Sequence, residues 1–179
     1  MRMFVAIPLP DAVRWQLRLL CAGVPDTRWV PPENFHLTLR FLGELDNGAI
    51  EDVDAALAAI RAPGFTLTLA GVGHFGGGAR LRALWAGVER QPALQHLHDK
   101  IESAVVRAGL PPDGKKFTPH VALARPKGPP IAKVQEFLAR HSLFRSDPFE
   151  VTHFTLYSSF LAHTAAIHQA ERSYALTRP

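Results

Sequence analysis

The chain reads as an α+β protein made of two similar lobes of sheet with helices, not as a doubly wound parallel sheet. Three observations predict this. The elements run strand, helix, strand, helix, strand, strand, helix, strand, helix, strand, strand, without the strict alternation of a doubly wound sheet. A histidine-bearing strand at His36 has a weaker copy at His120, 84 residues downstream, and each is followed by a helix. No low-complexity segment or flexible linker divides the chain, so residues 1–179 are expected to form a single bilobal domain.

The elements follow from local pattern. Met3 to Ile7 is a compact apolar run, expected as a strand buried on both faces. Pro10 and Asp11 open a helix to about Ala22, with Val13, Leu17 and Leu20 on one side, and Gly23 and Pro25 close it. Trp29 to Glu33 is a proline-punctuated entry into the strand of His36. Asp46 and Asn47 are candidate N-caps for a helix carrying Ile50, Val53, Leu57 and Ile60, which Pro63-Gly64 ends. Phe65, Leu67 and Leu69 alternate with Thr66 and Thr68 as a strand, a glycine-rich loop is expected from Gly71 to Gly78, and Leu81 to Val88 is the next strand. Pro92 starts a helix with Leu94, Leu97, Ile101, Val105 and Ala108 inward, stopped by Gly109 and Pro111. A loop with Lys115 and Lys116 leads into the His120 strand, and a shorter helix follows Pro129-Pro130 with Ile131, Val134 and Leu138 inward. Phe149 to Leu161 and Ala166 to Leu176 are expected as two strands joined near His163-Thr164.

A chain of 179 residues, 47% hydrophobic and 20% charged, has the composition of an ordinary globular domain with a sizeable core. Its formal net charge of +4 favours anionic partners. The lone Cys21 cannot form an internal disulfide and, in an apolar helical stretch, is expected as a buried, inert thiol. The apolar run at the N-terminus is too short for a signal-peptide core, and no window approaches the roughly 20 apolar residues that span a bilayer. The expected location is cytoplasmic, and a monomer is the expected state.

The chemistry concentrates in Asn34-Phe35-His36-Leu37-Thr38-Leu39-Arg40-Phe41-Leu42-Gly43-Glu44. At period two, His36, Thr38 and Arg40 share one face, and Leu37, Leu39 and Phe41 fall on the other, toward a core. If the strand of His120 lies beside it, both imidazoles and the Thr38 hydroxyl converge on one spot. One ring can then take a proton from an attacking oxygen while the other protonates a leaving oxygen, with a tetrahedral anion between them. Lys115 and Lys116, just before His120, would be felt by an entering polyanion. Other motifs carry less. Gly71-Val72-Gly73-His74-Phe75-Gly76 fits the spacing of a dinucleotide loop but is followed by a strand pattern, not a helix. His96 and His98 are two apart on a helix and do not face one site. One cysteine, no H-E-x-x-H and no G-x-S-x-G argue against a zinc hydrolase and a serine hydrolase.

These residues resemble the two-histidine phosphoesterase superfamily, whose signature is a pair of H-x-T/S-x motifs on separate strands, and most of all its RNA 2′,3′-cyclic phosphodiesterases, also called 2′-5′ RNA ligases. The likeness rests on Arg2 to Ile7, Phe35 to Glu44, Leu84 to Val88, Phe117 to Arg125 and Leu156-Tyr157-Ser158-Ser159, in the family's order. The resemblance implies a bilobal α+β fold with a central cleft, and opening of terminal 2′,3′-cyclic phosphates on RNA or oligonucleotides to 2′-phosphomonoesters without metal or other cofactor. It implies His36 as general acid, His120 as general base, and Thr38, Arg125 and Ser158 as substrate-binding residues. The alternatives are a 2′-5′ RNA ligase or small-nucleotide phosphodiesterase, or a catalytically weak nucleotide- or RNA-binding module. Two departures stand out. Ala122 occupies the place of the family's second threonine or serine, and Arg125, by strict alternation, points away from His120 unless the strand bulges first.

Overall fold

The computed structural model describes residues 1–178. Its strands are β1 (Arg2–Pro8), β2 (Thr27–Trp29), β3 (His36–Glu44), β4 (Phe65–Leu67), β5 (Leu69–Phe75), β6 (Ala83–Val88), β7 (His120–Pro126), β8 (Phe149–Val151), β9 (His153–Leu161) and β10 (Ala166–Ala175). The helices are α1 (Asp11–Arg18), α2 (Asn47–Ala58), α3 (Pro92–Arg107) and α4 (Ile131–Arg140). The α+β class is as expected. An eight-stranded antiparallel sheet runs β10-β9-β1-β3-β7-β6-β5, with β2 paired to β7, and β4 and β8 make a separate two-stranded sheet.

The two histidine strands, β3 and β7, are joined by the pair Leu37 with Val121. That seam divides the sheet. On one side β3 continues through β1 to β9 and β10; on the other, β7 continues through β6 to β5. The apolar residues of the sheet and those of the helices form one buried cluster, including Val5, Leu37, Leu39, Val121 and Leu123 from strands and Leu17, Val53, Leu57, Leu97, Ile101 and Phe137 from helices. Burying these side chains contributes roughly 1.5–3 kcal/mol each, which holds the two halves as one body. No helix among the described residues is long and apolar enough to cross a membrane.

Local signals set the helix starts. Asp46 caps α2 by accepting the Ala49 N–H at 2.8 Å, and Pro92 occupies the first turn of α3, where its missing N–H costs nothing. The chain departs from the sequence expectation in several places. The strand expected from Phe65 to Leu69 is divided between β4 and β5, which lie in different sheets, and Ile131, expected inward on α4, is exposed. Helix α1 ends at Arg18, short of Ala22, in a tight turn in which Leu20 N–H and Cys21 N–H bond to the carbonyls of Leu17 and Arg18. Thr27–Trp29 is a strand, because β7 offers it a pairing edge. The glycine-rich stretch is strand to Phe75, with its turn confined to residues 76–82. The segment expected as one strand from Phe149 is broken into β8 and β9, which pair with different sheets.

Candidate active site

The seam positions the first two candidates. Leu37 and Val121 pair across it and are fully buried, so antiparallel alternation turns their neighbours to the opposite, open face. Thr38 then stands across from His120, and His36 across from Ala122. The two histidines are diagonal neighbours on adjacent strands, a separation of roughly 7–8 Å between their backbone positions. Both rings therefore stand on the same face, on adjacent strands.

Both imidazoles are fixed in the same way. His36 Nδ1 lies 2.6 Å from the Asn34 carbonyl, and His120 Nδ1 lies 2.7 Å from the Thr118 carbonyl, in each case two residues upstream. A carbonyl only accepts, so each Nδ1 carries the proton and each Nε2 is left with its lone pair free. Burial lowers both proton affinities. His36 is pushed down to about 4, first by desolvation and then by the charges that His168 and His120 would carry, against the opposing bond to Asn34. His120 is lowered by desolvation. Both rings are therefore mostly neutral near pH 7.

Each histidine sits in an aromatic wall. His36 packs on Phe4 at 4.9 Å between ring centroids, and Phe4 in turn stacks on Tyr157 at 5.1 Å. His120 meets the Phe75 ring edge-on at 4.8 Å and the Trp85 ring at 5.9 Å. Gly73 lies under Trp85, so close that a Cβ there would overlap the indole. This glycine serves close packing beside His120 and not a phosphate loop, in keeping with the strand pattern around it.

Beyond Thr38 the strict alternation fails. Val5 pairs with Arg40 but Ala6 pairs with Thr38, so β3 carries one extra residue and Leu39 and Arg40 both turn inward. Arg40, expected on the histidine face, is 6% exposed and bonded by Nε to Glu102 Oε2 at 2.6 Å and by Nη1 to the Phe41 carbonyl at 2.7 Å. It fastens β3 to α3 and is not a cleft cation. Phe41, expected in the core, is 69% exposed and lies 6.1 Å from Phe4 on the histidine side.

The same irregularity recurs in β7. Leu84 pairs with Ala124 but Trp85 pairs with Ala122, so Leu123 and Ala124 both turn inward and Arg125 comes out on the face of His120. The bulge that a phosphate role for Arg125 requires is present. Arg125 is exposed and is paired across from Arg28 on β2. Ser158 behaves differently from expectation. It is fully buried and donates to Glu171 Oε1 at 2.6 Å, because alternation along β9 turns its neighbours Tyr157 and Ser159, not Ser158, to the histidine face. It does not line the cleft. Lys115 and Lys116 are exposed on the loop before β7. Cys21, expected as a buried thiol, is only partly buried, and desolvation pushes its thiol up to about 11, away from a reactive thiolate.

One member of the site was not legible in the sequence. His168 on β10 meets His36 edge-on at 5.3 Å and Phe4 at 5.0 Å, with its Nδ1 3.1 Å from Ser159 Oγ. Asn34, whose carbonyl holds His36, also donates its side-chain N–H to the Ala166 carbonyl of β10 at 2.8 Å. The loop before His36 and the strand of His168 are thereby tied together. No local pattern marks His168; pairing over 132 residues brings it there.

The family model described as "LigT like Phosphoesterase" matches residues 7–85 and 87–167. A relative from Geobacillus stearothermophilus, named RNA 2′,3′-cyclic phosphodiesterase, is 31% identical over 90% of this chain. The match spans only 53% of that relative's own length. A protein of the same name from Escherichia coli is 32% identical over 99% of this chain and 97% of its own. The crystal structure of E. coli LigT complexed with 3′-AMP superposes with a TM-score of 0.82 at 29% identity, covering 99% of this chain and 98% of that one.

Proposed function

The chain belongs to the LigT-like phosphoesterase family, and from that membership we propose that it opens 2′,3′-cyclic phosphates at RNA or oligonucleotide ends to 2′-phosphomonoesters. The observation that carries this reading is the matched pair of imidazoles, each protonated at Nδ1 by its bond to a carbonyl and each offering Nε2 to one open face across the Leu37–Val121 seam. The name shared by the curated relatives, and the nucleoside monophosphate in the E. coli structure, support a guest of that size and class.

In this reading His120 Nε2 removes a proton from water as the oxygen attacks phosphorus. The bond from phosphorus to the 3′ oxygen breaks, and His36 delivers a proton to that oxygen. The 2′ ester is retained. Each proton transfer contributes typically 10²–10⁴-fold. His36 must carry a proton to act as the acid, and in the free protein burial opposes this. The anionic phosphate supplies the missing compensation, because a negative charge a few ångströms away favours the imidazolium. Thr38 donates its hydroxyl to a non-bridging oxygen, and Arg125 offsets the charge that builds there. The reaction asks nothing of Arg40 or Ser158, which are occupied elsewhere.

Incubating the purified protein with adenosine 2′,3′-cyclic phosphate in EDTA, and separating 2′- from 3′-monophosphate, tests the proposal. The expected product is the 2′ isomer, with the activity lost in His36→Ala and in His120→Ala. Absence of turnover, or turnover abolished by the chelator, would overturn it.

A further inference from the structure

Arg28 and Arg125 form a feature that folding does not account for. They are directly paired residues of β2 and β7, so their side chains leave the sheet on the same face, and both are exposed. Like charges directly opposite one another in an antiparallel pair are destabilising. Among the described residues, neither guanidinium forms an ion pair or a hydrogen bond that would relieve the repulsion. From Gly114 to Gln135, the stretch that contains β7, the sequence has Lys115, Lys116, Arg125, Lys127 and Lys133 and no acidic residue.

The pair is nevertheless held firmly. Strand β2 is only three residues long, yet it is locked to β7 at both ends, by Val30 N–H to the Leu123 carbonyl at 2.8 Å and Lys127 N–H to the Asp26 carbonyl at 2.7 Å. Trp29 anchors it from the other face, packing on Phe137 of α4 at 5.8 Å. The turn into β2 puts Asp26 at φ 51°, a left-handed conformation that a non-glycine residue adopts at some cost. A rigid, slightly strained strand therefore presents one guanidinium opposite another.

The register also says where. Antiparallel to β3, the chain of β7 runs from His120 past His36, so Arg125 and Arg28 lie beyond His36, at the end of the cleft away from Phe41. Two neighbouring guanidiniums on one face can clamp one phosphate together or serve two phosphates in sequence, and an oligonucleotide end offers the second.

We propose that Arg28 holds a second phosphate, the internucleotide phosphodiester one step upstream of the cyclic end, and so makes this protein selective for oligoribonucleotide ends over mononucleotides. The inference rests on the proposed phosphodiesterase reading and names its substrate class. Arg125 addresses the reacting phosphate, and Arg28 the next one along the strand.

The test compares adenosine 2′,3′-cyclic phosphate with the dinucleotide ApA bearing the same cyclic end, at several salt concentrations, in the wild-type protein, Arg28→Gln and Arg28→Lys. The expected result is a wild-type kcat/KM higher for the dinucleotide. In Arg28→Gln this advantage falls by about tenfold, the worth of one charged hydrogen bond, mainly through KM. Arg28→Lys should keep part of it, and kcat/KM for the mononucleotide should stay within about twofold. The salt dependence for the dinucleotide should also weaken in Arg28→Gln, by roughly one phosphate contact. Equal loss on both substrates, or none on either, overturns the inference while leaving the phosphodiesterase reading intact. A wild-type protein inactive on both substrates would instead remove the reading beneath it.

Discussion

Phe41 and Arg125 occupy the same place in the two histidine strands. Each is the residue that a one-residue bulge turns out onto the histidine face, five positions after His36 and His120 respectively. One half of the cleft thus ends in a broad apolar ring and the other in a guanidinium. The two substitutions should separate accordingly. Arg125→Ala should lower kcat/KM on a cyclic mononucleotide by 10²-fold or more, as expected for a charge acting on the transition state, with Arg125→Lys recovering part of it. Phe41→Ala should raise KM with kcat little changed, since a distant ring can only bind. Steady-state kinetics on adenosine 2′,3′-cyclic phosphate reads both, and an effect of Phe41→Ala confined to kcat would count against the assignment.

Ala122 leaves the second half of the site short of a hydroxyl. It stands across from Trp85, whose Nε1 is buried without a partner. Ala122→Thr should raise kcat several-fold by adding a donor near the developing charge; a full oxyanion donor is worth about 10²–10³ elsewhere. Unchanged or reduced turnover in a folded variant would mean that the reaction does not need that donor.

The Arg40–Glu102 pair is the opposite of a cleft cation. Glu102 is lowered by its hydrogen bond from Arg40, helped by the bond from the Asp113 N–H, and this makes its contribution depend on pH. A carboxylate held below its unfolded value stabilises above that value, and the contribution disappears as pH falls through the folded value. Arg40→Ala should destabilise by about 1–3 kcal/mol at neutral pH, since the buried guanidinium and its bonds are lost while Glu102 keeps access to water and its bond from Asp113. In urea melts from pH 7 down to pH 3, the gap between wild type and Arg40→Ala should shrink once Glu102 protonates. A gap that stays constant would show that the loss is packing alone.

His36 gives a second pH signature. Its folded value of about 4, against 6.5 in the unfolded chain, means that the unfolded state binds the proton first. Stability is complete above about pH 6.5 and falls by about 3 kcal/mol on the way down to pH 4. The slope in this window should be shallower in His36→Gln, measured by the same melts.

His168 is one cause of that low value, so His168→Phe should let the His36 midpoint rise while keeping an aromatic edge against Phe4. Desolvation, the larger cause, remains, so the midpoint should not reach 6.5. The groups beside His168 are His36 from β3, Phe4 from β1, Ser159 from β9 and, paired across from Ser159, Arg2 from β1. An NMR titration of the histidine rings reads the shift without needing activity. An unmoved His36 midpoint would restrict His168 to a packing role.

Local pattern was enough for the α+β class, the two histidine-bearing strands, a helix cap at Asp46 or Asn47 and the inert cysteine. Each of these is written in local chemistry: an alternation, a capping residue, a run of apolar side chains. The tertiary structure alone decided which way Arg40, Phe41 and Arg125 face. Period two places them from their neighbours along the chain, but a bulge is set by the partner strand, and β1 lacks two residues against β3 and β6 one against β7. Ser158 and His168 moved for the same reason, since their surroundings come from strands distant in sequence. A backbone register fixed by nonlocal hydrogen bonds can reverse a side chain without any mark in the residues that flank it.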